Sequence, residues 1–332
     1  MENIENILFD FNIEKDDYEL YGKNIAKINA SNFKDFARKG KLIVMTSINP
    51  TPAGEGKTTT AIGLTDGLNF IGKDAILALR EPSLGPVFGR KGTATGGGKS
   101  QVIPNDEINL HFTDLNDRSL RSVDIKITNQ ISRKEHFNIT AASNMMTILS
   151  LAKDEQDLRK RIESSLVGMT NSSKPVFAKD LKVVGSVMAI LKNAIKPNFV
   201  RTQYDSPVLV HCGPFANIAI GTNSIISTDL ALKLGEYAVI ETGFGSDLGF
   251  EKFMNLVNYQ YDLVPDCVVL VVTVRALELQ NDFKNNFEHL KQHLEHINLY
   301  KLNLVIAINK IEGDDELKLK SLKAFLTSRG YN

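Results

Sequence analysis

The run Thr51-Pro52-Ala53-Gly54-Glu55-Gly56-Lys57-Thr58 constrains this chain more than any other segment. Ahead of it, Lys41-Leu42-Ile43-Val44-Met45-Thr46 has the unbroken apolar, β-branched character of a buried parallel strand. Behind it, Ile62, Leu64, Leu68 and Phe70 carry helical spacing over residues 57–70, and Gly72 stops the pattern. Ala75-Ile76-Leu77-Ala78-Leu79 reads as the next strand. Strand, loop, helix and strand make a βαβ unit, which requires a parallel sheet.

The loop itself fits the phosphate-binding pattern G-x-x-x-x-G-K-[ST], with Thr51 in place of the first glycine. Gly54 and Gly56 allow backbone conformations closed to other residues. Successive N–H groups then face inward at the start of the following helix and form an anion nest. Lys57 carries a mobile positive charge to the β and γ phosphates, and the Thr58 hydroxyl suits Mg²⁺. Residues Thr51 to Thr59 are therefore the candidate ATP site. Asn309-Lys310, at the end of a later strand, holds the place where such proteins touch the base, although Ile311 and Glu312 follow where an aspartate is usual.

Further strands are expected at Val208–His211, Tyr237–Ile240, Val268–Val272 and Leu304–Ile308. Helical stretches separate them at 150–166, 182–194, 228–235, 250–257 and 282–297. The alternation predicts a P-loop NTPase-like α/β fold, a mostly parallel, doubly wound sheet with helices on both faces. Residues 1–40 read as a polar, partly helical lead-in, and 41–332 as the nucleotide-binding domain. With 332 residues, 42% of them hydrophobic, the chain can bury a sizeable core.

A formal net charge of zero gives no global field toward nucleic acid or an anionic membrane. The aromatics show no basic interleaving, so no nucleic-acid partner is expected. Cys212 and Cys267 have no metal-ligand spacing. The acidic N-terminus lacks the basic region of a secretory signal, and no apolar run reaches membrane-spanning length. A cytoplasmic protein is expected.

Arg80-Glu81-Pro82-Ser83 follows the second strand, on the sheet edge where ligands bind. Arg80 there suits a carboxylate or a transferring phosphoryl group. Residues 85–98 are dense in glycine and carry Arg90 and Lys91, with Lys99 beyond, so the loop suits closure over an anion. His211 at a strand end reads as a packed histidine. Glu241-Thr242-Gly243-Phe244-Gly245-Ser246-Asp247 follows another strand, and Glu241 or Asp247 is a candidate metal partner, with Asp247 preferred.

TPAGEGKTTT, LREPSLGPVFG, GGG-x-SQV, INLHFT, NDRSLR, VRT after KPNF, GPFANIA, GFGSDLG-x-EKF and TVRAL occur here in one order. In that order they resemble formate–tetrahydrofolate ligase, across nearly the whole chain. The resemblance implies phosphorylation of formate by MgATP to formyl phosphate, then formyl transfer to N10 of tetrahydrofolate. It implies that Lys57 holds the phosphates, Thr58 the metal, and Arg80 the formate and formyl phosphate, with Glu81, Gly97 and Gly98 beside it. It also implies a homotetramer and stimulation by K⁺ or NH₄⁺.

The sequence departs from the family pattern in places. After Thr113 the chain runs directly to Asn116-Asp117-Arg118, as if an internal block were missing. Lys99 stands where the family's glycine loop has an aromatic, and Ile220 where a histidine follows GPFANIA. The family's long C-terminal portion, which carries much of the folate pocket, is not matched. Two other readings stay open: an ATP-binding relative with impaired turnover, and a general P-loop ATPase or switch.

Overall fold

The computed structural model describes residues 3–51, 54–81, 96–97, 100–103, 123–126, 128, 132–135, 140–215 and 218–331. Its strands are β1 Tyr18–Leu20, β2 Ala26–Ile28, β3 Lys41–Ser47, β4 Ala75–Leu79, β5 Gly96–Gly97, β6 Ser100–Ile103, β7 Val123–Lys126, β8 Ser132–Glu135, β9 Leu166–Met169, β10 Pro175–Phe177, β11 Asn198–Thr202, β12 Pro207–Val210, β13 Tyr237–Glu241, β14 Cys267–Val272 and β15 Asn303–Ile308. Its helices are α1 Ile4–Asp10, α2 Lys57–Phe70, α3 Asn144–Leu151, α4 Glu155–Glu163, α5 Val184–Leu191, α6 Ile225–Leu234, α7 Tyr259–Tyr261, α8 Val274–Leu279, α9 Glu288–Asn298 and α10 Glu316–Ser328. Two π-helical stretches, Ser246–Phe250 and Phe253–Asn258, lead into α7.

The main sheet runs β1-β2-β11-β12-β4-β13-β3-β14-β15, and β5 and β6 join it through β11. From β12 to β15 every pairing is parallel. The flank made by β1, β2, β6 and β11 is antiparallel. Parallel strands are the apolar ones because both faces are covered. Leu42 and Val44 of β3 enter one core cluster, Ile43 and Met45 the other. The first face packs against α1, α6, α8, α9 and α10 through residues such as Leu8, Leu230, Leu277, Leu290 and Leu322. The second is covered by α2 through Ala61 and Ile62. A third cluster holds α3, α4 and α5 together through Leu149, Leu158 and Met188.

The mixed α/β architecture and the mostly parallel sheet agree with the sequence expectation. Several elements differ. The stretch 150–166 holds the end of α3 and the whole of α4: Ala152 is extended, and Asp154 starts α4 by accepting the Asp157 N–H at 2.7 Å. A side-chain cap at that point outweighs continuous helical spacing. The stretch 282–297 becomes helical only at Glu288, because Asp282 spends its carboxylate on the N–H groups of His289 and Leu290, at 3.0 and 2.8 Å.

The lead-in is woven into the main body. Residues Ile4, Ile7, Leu8, Ile13, Ala26, Ile28 and Phe33 are buried in the first core cluster, and β2 pairs with β11. Three-residue strands carry too little alternation to be seen in sequence; pairing of β2 with β11, and of β1 with β2, decides them. Among the described residues no helix is long and apolar enough to cross a membrane.

Leu8→Ala is expected to lower the stability of the whole protein by about 2–5 kcal/mol, since a fully buried leucine leaves a cavity. Urea unfolding followed by two probes checks it. A separate early transition confined to the N-terminus would show that residues 4–33 are not part of the main cooperative unit.

Candidate phosphate and carboxylate site

The parallel strands place their carboxyl ends along one edge of the sheet, and the candidate residues gather there. β3 delivers the loop at 51–56, and α2 starts at Lys57. Gly56 caps that helix with φ +71° and offers no side chain to its free N–H groups. A Cβ at Gly56 would lie 2.2 Å from the Asn309 amide nitrogen. The position therefore needs glycine for both its backbone and its space. Uncapped N–H groups at the start of α2 leave a positive end aimed at the loop.

The loop is held from outside by three side chains and from within by one. Glu55, 3% exposed, accepts the Thr51 N–H at 2.8 Å and a hydrogen bond from the Thr273 hydroxyl. Asn309 Nδ2 donates to the Glu55 carbonyl at 3.0 Å, and Arg275 donates to the Gly54 carbonyl. Asn309 thus supports the loop backbone. Pro52, Ala53 and Gly98 lie outside the described residues. Thr59 stands on the first turn of α2. The buried Thr51 hydroxyl has no hydrogen-bond partner among the described residues.

Lys57 donates to the Phe244 carbonyl at 2.7 Å and to Ser47 Oγ at 2.9 Å. Phe244 has φ +61°, a left-handed conformation that is strained for an aromatic residue, and it turns that carbonyl toward the lysine. The Thr58 hydroxyl donates to the two Glu241 carboxylate oxygens, at 2.9 and 3.1 Å. Glu241 ends β13, opposite Met45 in the pairing with β3. Burial pushes the Lys57 ammonium down to about 8, opposed by the Glu241 charge and reinforced by Arg80. Burial also raises the Glu241 carboxyl above the usual range, against the pull of Arg80, Lys57 and the Thr58 hydroxyl. Arg80, at the end of β4, completes the group and passes beside Gly243, where a Cβ would meet Nη1 at 3.7 Å.

Not every sequence candidate joins this group. Glu81 turns the other way: its carboxylate accepts from Asn198 Nδ2 at 3.0 Å, and burial raises its pKa against the charge of Lys27. Gly97 lies in the β5–β6 hairpin, which packs on α2. Asp247, preferred in sequence as the metal partner, accepts from Asn49 Nδ2 at 3.1 Å. The carboxylate that meets Thr58 is Glu241. Both acids lie in one segment of the sequence, and the parallel pairing of β13 with β3 brings Glu241 to Thr58. His211 is a packed residue as expected, bonded to Ser224 Oγ and the Ala194 carbonyl and pushed down to about 4 by burial. Thr273 and Arg275 had no assigned role in the sequence, although both stand in the TVRAL segment.

The family model of formate–tetrahydrofolate ligase matches residues 1–114 and 113–331. The chain belongs to the formate–tetrahydrofolate ligase family. The two matched segments meet at residues 113–114, where the sequence departs from the family order after Thr113. The family is one of ligases, and its substrates are formate and tetrahydrofolate. The segments that carry the site geometry, TPAGEGKTTT, the Glu241 loop and TVRAL, all fall inside the match.

The depressed Lys57 fixes a pH dependence for the ligand-free protein. A lysine whose folded pKa lies below its unfolded value binds fewer protons in the folded state across the interval between them. Its contribution to stability is expected to rise with pH from about 8 toward the ordinary 10.5. Denaturation across that window, compared between the parent and Lys57→Met, checks this. A variant with the same pH slope as the parent removes Lys57 as the cause.

Proposed function

We propose that this chain ligates formate to tetrahydrofolate with ATP, giving 10-formyltetrahydrofolate, ADP and phosphate, through a P-loop-like site built on β3, α2 and β13. The single observation that carries the reading is the convergence of Lys57, Thr58, Glu241 and Arg80 on one sheet edge. The parallel order β4-β13-β3-β14 with its loop and helix supports a P-loop-like nucleotide fold.

Phosphoryl transfer needs positioning and positive charge rather than covalent catalysis. The N–H groups at the start of α2 and the Lys57 ammonium hold the triphosphate. A phosphate oxygen replaces Ser47 and the Phe244 carbonyl as the partner of Lys57, and its charge restores the ordinary lysine pKa. The oxygen donors of Thr58 and Glu241 fit Mg²⁺, which prefers hydroxyl, carboxylate and water ligands. When bound, that ion neutralises phosphate charge. Arg80 orients the formate carboxylate in line with the γ-phosphorus. A formate oxygen attacks phosphorus, the bond to the β-phosphate oxygen breaks, and ADP leaves. The formyl carbon of formyl phosphate then accepts the N10 lone pair of tetrahydrofolate. Its bond to the phosphate oxygen breaks, and the N10 proton is released.

Lys57→Ala is expected to weaken ATP binding by about 10- to 100-fold, the worth of one charge-assisted contact. Arg80→Lys, which loses the planar fork, is expected to raise the KM for formate more than that for ATP. Calorimetry with ATP and a coupled ADP assay with and without formate and tetrahydrofolate provide the readouts. ADP formation independent of formate would replace this reading with that of a general ATPase. ATP binding without turnover in any mixture would leave a nucleotide-binding relative.

A further inference from the structure

On the far side of the same loop stands a cluster that the proposed reaction does not use. α9 carries His289 and His293 one turn apart, so both project from one face. Their Nε2 atoms are 3.2 Å from each other. Both meet Asn49 Oδ1, at 2.6 Å from His289 and 2.8 Å from His293. Asn49 cannot turn its amide round to relieve this, because its Nδ2 donates to Asp247 Oδ2 at 3.1 Å. Three donor atoms, two imidazole nitrogens and one amide oxygen, therefore occupy a triangle with sides of 2.6 to 3.2 Å.

We infer that His289 Nε2, His293 Nε2 and Asn49 Oδ1 form one face of a binding site for a divalent first-row transition metal ion, separate from the proposed Mg²⁺ position at Thr58. Two nitrogens around a tetrahedral zinc at about 2.05 Å lie about 3.3 Å apart, close to the spacing found here. Imidazole nitrogen favours Zn²⁺, Co²⁺, Ni²⁺ and Cu²⁺ over Mg²⁺ and Ca²⁺. Among the described residues no three His, Cys, Asp or Glu side chains form a metal group. The third donor here is an amide oxygen, and water completes the shell.

The surroundings carry the inference further than the triangle alone. With both Nε2–H groups donating to Asn49, His289 Nδ1 is a buried acceptor without a hydrogen bond, facing Asp282 Oδ2 at 3.7 Å. An acceptor facing a carboxylate is an unfavourable pair. Replacing the proton on Nε2 by a metal moves it to Nδ1, where it points at the carboxylate. Metal-bound histidines commonly donate their second ring nitrogen to such a carboxylate. The same shift in His293 places its Nδ1–H on Ser246 Oγ, 2.7 Å away. The His289 side chain is 19% exposed and gives the ion a way in.

Co²⁺ is the probe, because its visible absorption reports coordination by nitrogen. Tag-free full-length protein is expected to bind one Co²⁺ per chain at this site. Zn²⁺ should displace it, and excess Mg²⁺ should not. His289→Asn should weaken Co²⁺ binding at least about tenfold while circular dichroism and ATP binding stay unchanged. His296→Asn, whose Nδ1 faces Ser246 at 3.4 Å and not the triangle, should bind Co²⁺ as the parent does. Absence of Co²⁺ binding, or equal binding by His289→Asn, overturns the inference. So does a proton resonance assignment of His289 as an imidazolium paired to Asp282 that added Zn²⁺ leaves unchanged. None of these outcomes bears on ATP binding at Lys57, so the two sites fail or stand independently.

Discussion

The parallel pairing of β13 with β3 is the constraint on which the site depends. It sets Glu241 opposite Met45 and so brings a carboxylate to the Thr58 hydroxyl and into the field of Lys57. Without that pairing the loop would offer cations and N–H groups only. With it, a lysine, an arginine and a glutamate share a partly dehydrated edge, where each charge shifts the others. Burial disfavours both the Lys57 ammonium and the Glu241 carboxylate, and their mutual attraction offsets part of that cost.

Rigidity around the loop comes from neighbouring strands. Thr273 and Arg275, just beyond β14, bond Glu55 and the Gly54 carbonyl, and Asn309, just beyond β15, bonds the Glu55 carbonyl. Three consecutive parallel strands, β3, β14 and β15, thus fix one short loop from successive carboxyl ends. A loop backbone held at three points this way has little freedom to rearrange. Gly249 serves the neighbouring turn similarly, since a Cβ there would lie 1.5 Å from the Gly243 carbonyl oxygen. That contact allows the Ser246–Phe250 stretch to fold back beneath the loop that presents the Phe244 carbonyl.

The opposite side of the loop is organised by α9. Asp282 holds the first N–H groups of that helix, which sets the rotation that turns His289 and His293 toward Asn49. The loop ahead of α2 is thus bounded by a charged edge at Lys57 and by an imidazole cluster at Asn49. The chemistry of the two sides differs, oxygen donors beside Thr58 and nitrogen donors on α9.

Read by itself, the sequence determined the β3–loop–α2–β4 unit, because apolar runs, glycines and Gly-Lys-Thr act locally and need no distant partner. It placed Lys57 and Thr58 at the start of α2 for the same reason. It also carried the family, since segments in a fixed order survive without knowledge of contacts. Tertiary structure alone decided the antiparallel flank, where β2 pairs with β11 and β1 with β2. It brought Glu241 to the Thr58 hydroxyl and Asp247 to Asn49, a difference that strand register sets and that the sequence does not show. It turned Glu81 away from Arg80 although the two are adjacent, because neighbouring residues at a strand end point to opposite sides. It also placed His289 and His293 against Asn49, some 240 residues away in the chain, by packing α9 beside the loop. Local signals specify elements and loops, whereas the meeting of side chains distant in sequence depends on which strands pair and in what register.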